Sequence, residues 1–219
     1  MKLVGFGCSF TYGSELFSPN ADPSDHWANN RYRNEHSWLG LLASKFDCAY
    51  DNLAEPANSN FAISYQVANY IQNSRNDKEH IVVCIGWSDS NRMSWYSDQW
   101  MHNGFVKSQD IWSNTNKEWV ANNTNSGNQL YTNSAKLFVN SICNFYNIPI
   151  LQFNALGEHT TTRYENYFND GNTMQGMLAK AQQEDSRLEL FANGGHPNEA
   201  GHEYFTIRLH DFAKQRIIL

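Results

Sequence analysis

Two residues near opposite ends of the chain carry the chemistry most easily read from it. Ser9 stands in Gly7-Cys8-Ser9-Phe10-Thr11-Tyr12-Gly13, directly after the apolar run Leu3-Val4-Gly5-Phe6, and His196 stands in the Gly-rich stretch Asn193-Gly194-Gly195-His196-Pro197. A serine hydroxyl is a weak nucleophile until a base takes its proton. A serine on a tight strand-to-loop turn with small neighbours, paired with a histidine from a distant loop, is one way a hydrolase assembles nucleophile and base. Taken alone, each has a plainer reading. Ser9 would be a turn or cap residue, and His196 before Pro197 would be a helix-entry residue.

The elements that must position this pair follow from hydrophobic spacing. Leu3–Phe6 reads as a short buried strand, and Trp38, Leu41, Leu42 and Phe46 recur with helical period. Ala49–Leu53 suits a second strand. Phe61, Ile63, Val67, Ala68 and Ile71 mark a helix capped by Ser59. His80–Gly86 is the clearest central strand. A helix over Ala135–Tyr146, a strand over Ile148–Phe153 and a last helix over Glu199–Ile217, with Phe205, Leu209 and Phe212 on one face, complete the series. Strands alternating with helices imply a parallel sheet covered on both faces. The expected architecture is a three-layer α/β/α domain with a flavodoxin-like parallel sheet of about five strands. On such sheets ligands bind at the carboxyl ends of the strands, where Ser9, Gly86 and Asn154 fall.

Composition narrows the function classes. At 219 residues the chain is long enough for one well-buried core, and no linker or charge block divides it, so a single domain over 1–219 is expected. Sixteen Lys and Arg against 22 Asp and Glu give a formal charge of -6. No basic cluster follows a phosphate backbone, which argues against nucleic acid as a partner. No run approaches the roughly 18 apolar residues that span a bilayer, and the opening residues are too short an apolar stretch for a signal peptide. Cys8, Cys48, Cys84 and Cys143 are scattered without C-x-x-C spacing, which favours free thiols in a reducing compartment. A cytoplasmic, soluble protein is expected, or a virion component if the source is viral.

Four segments in order resemble the blocks of the SGNH (GDSL-like) hydrolases. They are Gly7-Cys8-Ser9, Asn52-Leu53-Ala54-Glu55-Pro56-Ala57-Asn58-Ser59-Asn60, Gly86-Trp87-Ser88-Asp89 and Asn193-Gly194-Gly195-His196-Pro197. The resemblance spans almost the whole chain. It is greatest to divergent phage or bacterial members with a Gly-Cys-Ser-Phe-Thr-Tyr-Gly start. It implies that Ser9 is the nucleophile and His196 the general base. The oxyanion donors it implies are the Ser9 N–H, the Ala57 N–H where the family has glycine, and Ser88 where the family has asparagine. Asn193 occupies the position of the family's aspartate, which holds the imidazole tautomer and stabilises the imidazolium. An asparagine carbonyl still accepts the Nδ1 hydrogen bond but carries no charge, and in a serine protease the same exchange lowers turnover roughly 10⁴-fold. A slow enzyme, a dyad leaning on a backbone carbonyl and an inactive fold therefore all stay open. Asn193 before Gly194 is also a deamidation-prone pair, which would restore an aspartate.

Other residues carry weaker signals. Cys8 is a rival nucleophile, but beside Ser9 it should point elsewhere and pack as a small residue. His202 and His210 lie eight apart on the last helix without a third ligand, so solvent-facing or capped histidines are expected and no metal. No organic cofactor is needed either. Trp87, Trp95, Tyr96, Trp100, Phe105, Trp112 and Trp119 crowd a polar interval, with an insertion placed at about 92–130. Such a set suits a mini-core, a sugar-stacking surface or a subunit contact that would make a homo-oligomer. A second insertion, at about 155–190, contains His159, Arg163, Tyr164, Tyr167 and Phe168 and suits a cleft wall or lid. Trp87, Asp89, Arg92 and Asn154 are candidates for substrate binding. The expected function is hydrolysis of a short acyl ester, carried by a carbohydrate. The alternatives are a catalytically weakened glycan-binding protein and an acyltransferase using the same acyl-enzyme.

Overall fold

Small and branched apolar residues make Lys2–Gly7 a strand, β1, with five successive buried residues after Lys2. In the computed structural model, which describes residues 1–22, 24–76, 79–97, 99–103, 125–157, 167–168 and 172–216, β1 lies inside a parallel sheet. It pairs with β2 (Ala49–Asn52) on one side and β3 (Ile81–Trp87) on the other. The hairpin strands β4 (Met93–Ser97) and β5 (Gln99–Asn103) form a separate antiparallel pair. β6 (Ile150–Asn154) completes the main sheet against β3, in the order β2-β1-β3-β6. All residues of β3 and β6 are buried, as expected for strands covered on both faces.

Successive strand residues face opposite sides, and two cores result. Leu3, Val82, Cys84, Leu151 and Phe153 pack with Trp38, Leu39 and Leu42 of α3 (Trp38–Lys45), and with Leu178 of α6 (Met174–Glu184). The same core takes Phe205 and Leu209 of α7 (Glu199–Arg216). Val4, Phe6, Val83, Ile85 and Ile150 pack with Ile63 and Val67 of α4 (Asn60–Asn69) and with Ala135 and Val139 of α5 (Asn125–Phe145). The result is a three-layer α/β/α fold. Full burial of a side chain such as Leu39 or Leu42 stabilises it by about 1.5–3 kcal/mol.

Several elements differ from the sequence expectation. Four strands, not five, make the parallel sheet among the described residues. Helix α2 (His26–His36) has no apolar stripe to reveal it; only Asp25, accepting from Ala28 N at 3.0 Å, marks its start. α5 begins at Asn125, ten residues before its apolar repeat, because its first turns are polar yet contain the buried Asn128 and Thr132. The proposed insertion at 92–130 therefore runs into a helix of the fold. Phe61 is 61% exposed, since α4 turns Asn60, Ile63, Ser64 and Val67 inward instead. The second insertion is not all lid: Tyr167, Phe168 and Met174 are buried. Among the described residues no helix is long and apolar enough to cross a membrane.

Candidate active site

Ser9 opens the four-residue helix α1 (Ser9–Tyr12) at the carboxyl end of β1, with Cys8 as its N-cap residue. The turn is anchored by the Thr11 and Tyr12 N–H groups donating to the Cys8 carbonyl, each at 2.9 Å. Gly7 and Gly86 are partners across β1 and β3. A Cβ on either would come within 2.4 Å of Thr11 Oγ1. Two facing glycines thus form the notch into which α1 settles. Ser9 is 4% exposed, and its buried Oγ has no hydrogen-bond partner, His196 included.

Asparagines of the second block tie the other segments to this turn. Asn52 Nδ2 donates to the Thr11 carbonyl at 2.9 Å. Asn58 Nδ2 donates to the Gly7 carbonyl at 3.3 Å and to Gln66 Oε1 at 2.8 Å. Between them Ala57 takes a left-handed φ of 61°, in a turn whose Asn58 N–H reaches the Glu55 carbonyl at 3.4 Å. That conformation is one glycine adopts freely and alanine at a cost of about 1–2 kcal/mol. Asn60 grips the third block from both sides: Ser88 N–H donates to its Oδ1 at 2.7 Å, and its Nδ2 donates to the Ser88 carbonyl at 2.9 Å. Ser88 Oγ is buried without a partner.

His196 sits in a turn closed by Ala192 N–H to the His196 carbonyl at 2.8 Å, just before α7. Asn198 caps that helix, accepting from Gly201 N at 2.9 Å, while its Nδ2 reaches the Glu189 carbonyl at 2.8 Å. The imidazole is joined twice to the segment that Ser9 begins. Its ring lies 5.6 Å from that of Phe10, and its Nδ1 lies 2.7 Å from Glu15 Oε2. Glu15 also accepts the Gly194 N–H at 2.7 Å and the His196 N–H at 3.1 Å. Partial burial pushes the Glu15 carboxyl up, but the hydrogen bonds from the His196 ring and from the two backbone N–H groups outweigh it and hold the group below the usual carboxylate range. The expected acceptor, Asn193, lies exposed on the turn. The chain reverses between it and His196, and the carboxylate arriving from the other end of the sequence occupies Nδ1.

The remaining candidates separate into core and rim. Trp87 is fully buried, its Nε1 donating to Gln152 Oε1 at 3.0 Å, so it is a core residue and no stacking platform. Asn154 Oδ1 accepts from Lys136 Nζ at 3.0 Å and from the Tyr167 hydroxyl, which commits it to a buried polar network. Asp89 is nearly buried, with Oδ1 accepting the Asn91 N–H at 2.7 Å. Arg92 is partly exposed beside it, its N–H on the Asp89 carbonyl at 3.1 Å. His202 is not solvent-facing: it is fully buried and its Nδ1 accepts the Trp38 N–H at 3.1 Å. Burial first, and the neighbouring His196 second, push it down to about 3. His210 is half-buried against the Phe46 ring at 4.9 Å. Among the described residues no three His, Cys, Asp or Glu side chains converge as metal ligands. Cys8, Cys84 and Cys143 are buried free thiols, and burial pushes the Cys143 thiol up to about 12. In the aromatic interval, Tyr96 of β4 stands opposite Trp100 of β5. Phe105, Trp112, Trp119, His159, Arg163 and Tyr164 lie outside the described residues.

Sequence reading missed the roles of Glu15, Asn58 and Asn60. The two asparagines lie inside a quoted block, but nothing in their spacing says which strand end each would grip. Glu15 follows Ser9 by six residues, and the only signal was an acidic side chain just beyond a turn glycine.

No family model and no curated protein matches the sequence. Its structure is similar to solved carbohydrate esterases. One is a carbohydrate esterase whose active site is described as displaying divergent catalytic and non-catalytic binding functions (TM-score 0.55, 13% identity, 99% of this chain and 65% of that one). A second is a carbohydrate esterase family 2 enzyme plus carbohydrate-binding domain from Corynascus thermopiles (Myceliophthora fergusii) (TM-score 0.53, 14% identity, 97% and 65%). A third is an acetyl xylan esterase from the rumen bacterium Butyrivibrio proteoclasticus (TM-score 0.52, 12% identity, 99% and 64%). The chain spans a little under two thirds of the length of these proteins. The fold is SGNH-hydrolase-like.

Proposed function

We propose that the chain is a serine ester hydrolase acting on a short acyl ester carried by a carbohydrate. The observation that carries this reading is the double attachment of His196 to the segment Ser9 begins, through the Phe10 ring and the Glu15 carboxylate. Nδ1 being engaged, Nε2 is the nitrogen left for Ser9. Rotation of Ser9 about χ1, between staggered positions, accompanies substrate entry and brings Oγ to that nitrogen. The Ser9 N–H, the Ala57 N–H and Ser88 Oγ then receive the oxyanion, each donor contributing about 3 kcal/mol to the transition state. The carbohydrate component is supported by the fold shared with carbohydrate esterases and by the aromatic content of the 93–103 hairpin sequence.

The test is hydrolysis of p-nitrophenyl acetate and of an O-acetylated xylooligosaccharide by the whole chain. Wild type releases acetate from both, and Ser9→Ala and His196→Ala fall to background; a Ser9→Ala protein of wild-type rate would overturn the assignment. A second reading, a glycan-binding protein without turnover, is favoured by the unpartnered Ser9 Oγ. It requires oligosaccharide binding with no acetate release by wild type. Transfer of acetate to an added sugar in preference to water would instead indicate an acyltransferase.

A further inference from the structure

We infer that Glu15 is the charged third member of the catalytic group, so that the chain carries a Ser9–His196–Glu15 triad whose acid comes from the nucleophile's own loop. The inference rests on the ester-hydrolase reading and assigns within it a role that the position before the histidine was expected to fill. Three observations converge. The carboxylate is fixed by two backbone N–H groups, Gly194 on Oε1 at 2.7 Å and His196 on Oε2 at 3.1 Å, and these aim Oε2 at Nδ1, 2.7 Å away. Gly194 has no Cβ; one placed there would lie 2.6 Å from both carboxylate oxygens, so glycine is what admits the acid. Glu15 itself is held at φ 68°, a left-handed conformation that costs a side-chain-bearing residue about 1–2 kcal/mol and that clusters at functional sites.

The chemistry closes without Asn193. Ser9 Oγ attacks the ester carbon while its proton passes to His196 Nε2; the carbonyl π pair moves to oxygen, and the imidazole becomes a cation. Glu15 accepts the Nδ1–H hydrogen bond throughout, keeps the proton on Nδ1 and neutralises that cation without taking the proton. Collapse breaks the bond to the leaving alcohol, whose oxygen receives the Nε2 proton. Water then repeats the sequence on the acyl-enzyme and releases the acid. Glu15 touches no reacting atom and acts through His196, so it is a positioning residue. Deamidation of Asn193 is not needed to supply the charge.

The test compares Glu15→Gln, Glu15→Asp and Asn193→Ala in the full chain. Measurements are steady-state hydrolysis of p-nitrophenyl acetate, the downfield proton resonance of His196 Nδ1–H, and thermal melting. Glu15→Gln is expected to lower kcat about 10⁴-fold with KM little changed and to abolish the downfield resonance. Glu15→Asp should recover at least tenfold over Glu15→Gln, and Asn193→Ala should stay within about twofold of wild type on both readouts. A Glu15→Gln protein within tenfold of wild type, or an Asn193→Ala protein as impaired as Glu15→Gln, would overturn the inference. If Glu15→Gln does not fold, Glu15→Asp and Asn193→Ala decide: a loss confined to the former supports the triad, and a loss confined to the latter overturns it. If wild type hydrolyses no ester, the hydrolase reading fails separately. The resonance then decides whether Glu15 holds the imidazole: loss in Glu15→Gln alone supports the pairing, and persistence there refutes it.

Discussion

Replacing Gly194 by alanine perturbs the proposed site through one methyl group. The new Cβ would stand 2.6 Å from each Glu15 carboxylate oxygen and 2.7 Å from the carboxyl carbon, whereas ordinary contact begins at 3.4 Å, so the carboxylate must retreat by about 0.8 Å. Carried onto the 2.7 Å bond to His196 Nδ1, that retreat leaves a separation near 3.5 Å, where a hydrogen bond has lost most of its strength. The cost to catalysis should therefore fall between a weakened and an absent carboxylate, about 10²- to 10⁴-fold in kcat. Stability should change much less, because Gly194 is exposed and its N–H can turn to water; a drop of under about 2 kcal/mol is expected. The assay is p-nitrophenyl acetate hydrolysis alongside urea unfolding, for Gly194→Ala, Glu15→Gln and the double variant. Since both act on one carboxylate, the double variant should be no slower than Glu15→Gln alone. Wild-type turnover in Gly194→Ala, or losses that multiply in the double variant, would refute the reasoning.

Two further outcomes follow from the same geometry. Asn60→Ala strips the Ser88 N–H and carbonyl of their partners in a buried setting, at about 1–3 kcal/mol for each unsatisfied group; urea unfolding should show a loss of at least about 2 kcal/mol, with turnover falling as Ser88 loses its position. His202, held near 3 in the folded chain against an ordinary 6.5, contributes stability that is complete above 6.5 and is lost as pH falls toward 3, because only the unfolded chain takes up the proton. Between pH 7 and 5 wild type should lose about 2 kcal/mol more than His202→Gln in urea unfolding, and equal losses would show that His202 charges freely in the fold.

The fold was legible where burial was continuous. Ile81–Trp87 is a strand without a polar interruption, and α7 places Phe205 and Leu209 toward the sheet, so period and length reveal both. Local propensity failed where polar residues do the packing. The first turns of α5 bury Asn128 and Thr132, and α4 buries Asn60 in place of Phe61, because those side chains hydrogen-bond to neighbouring segments, Asn128 to the Asn91 side chain and Asn60 to Thr132 Oγ1 and the Ser88 backbone; hydrophobic periodicity does not register that task. Within the site, the turn at Ser9 and the loop at His196 were readable because small residues flank both. Trp87 misled, since an aromatic at a strand end suits a sugar platform and a core equally, and its ring is buried because α4 and α5 cover that face of the sheet. Glu15 was invisible because its partner is 181 residues away.

The central claim is that Ser9 is a nucleophile activated by His196. The most direct test is exposure of the whole chain to a fluorophosphonate ester followed by peptide mass spectrometry, which needs no knowledge of the natural substrate. Fluoride is displaced by the attacking oxygen, so the adduct marks the residue that attacks. The expected result is a single stoichiometric adduct on the peptide carrying Ser9, absent in Ser9→Ala and slowed at least a hundredfold in His196→Ala. No adduct, or an adduct on Ser88 or another serine with Ser9 untouched, would contradict the account.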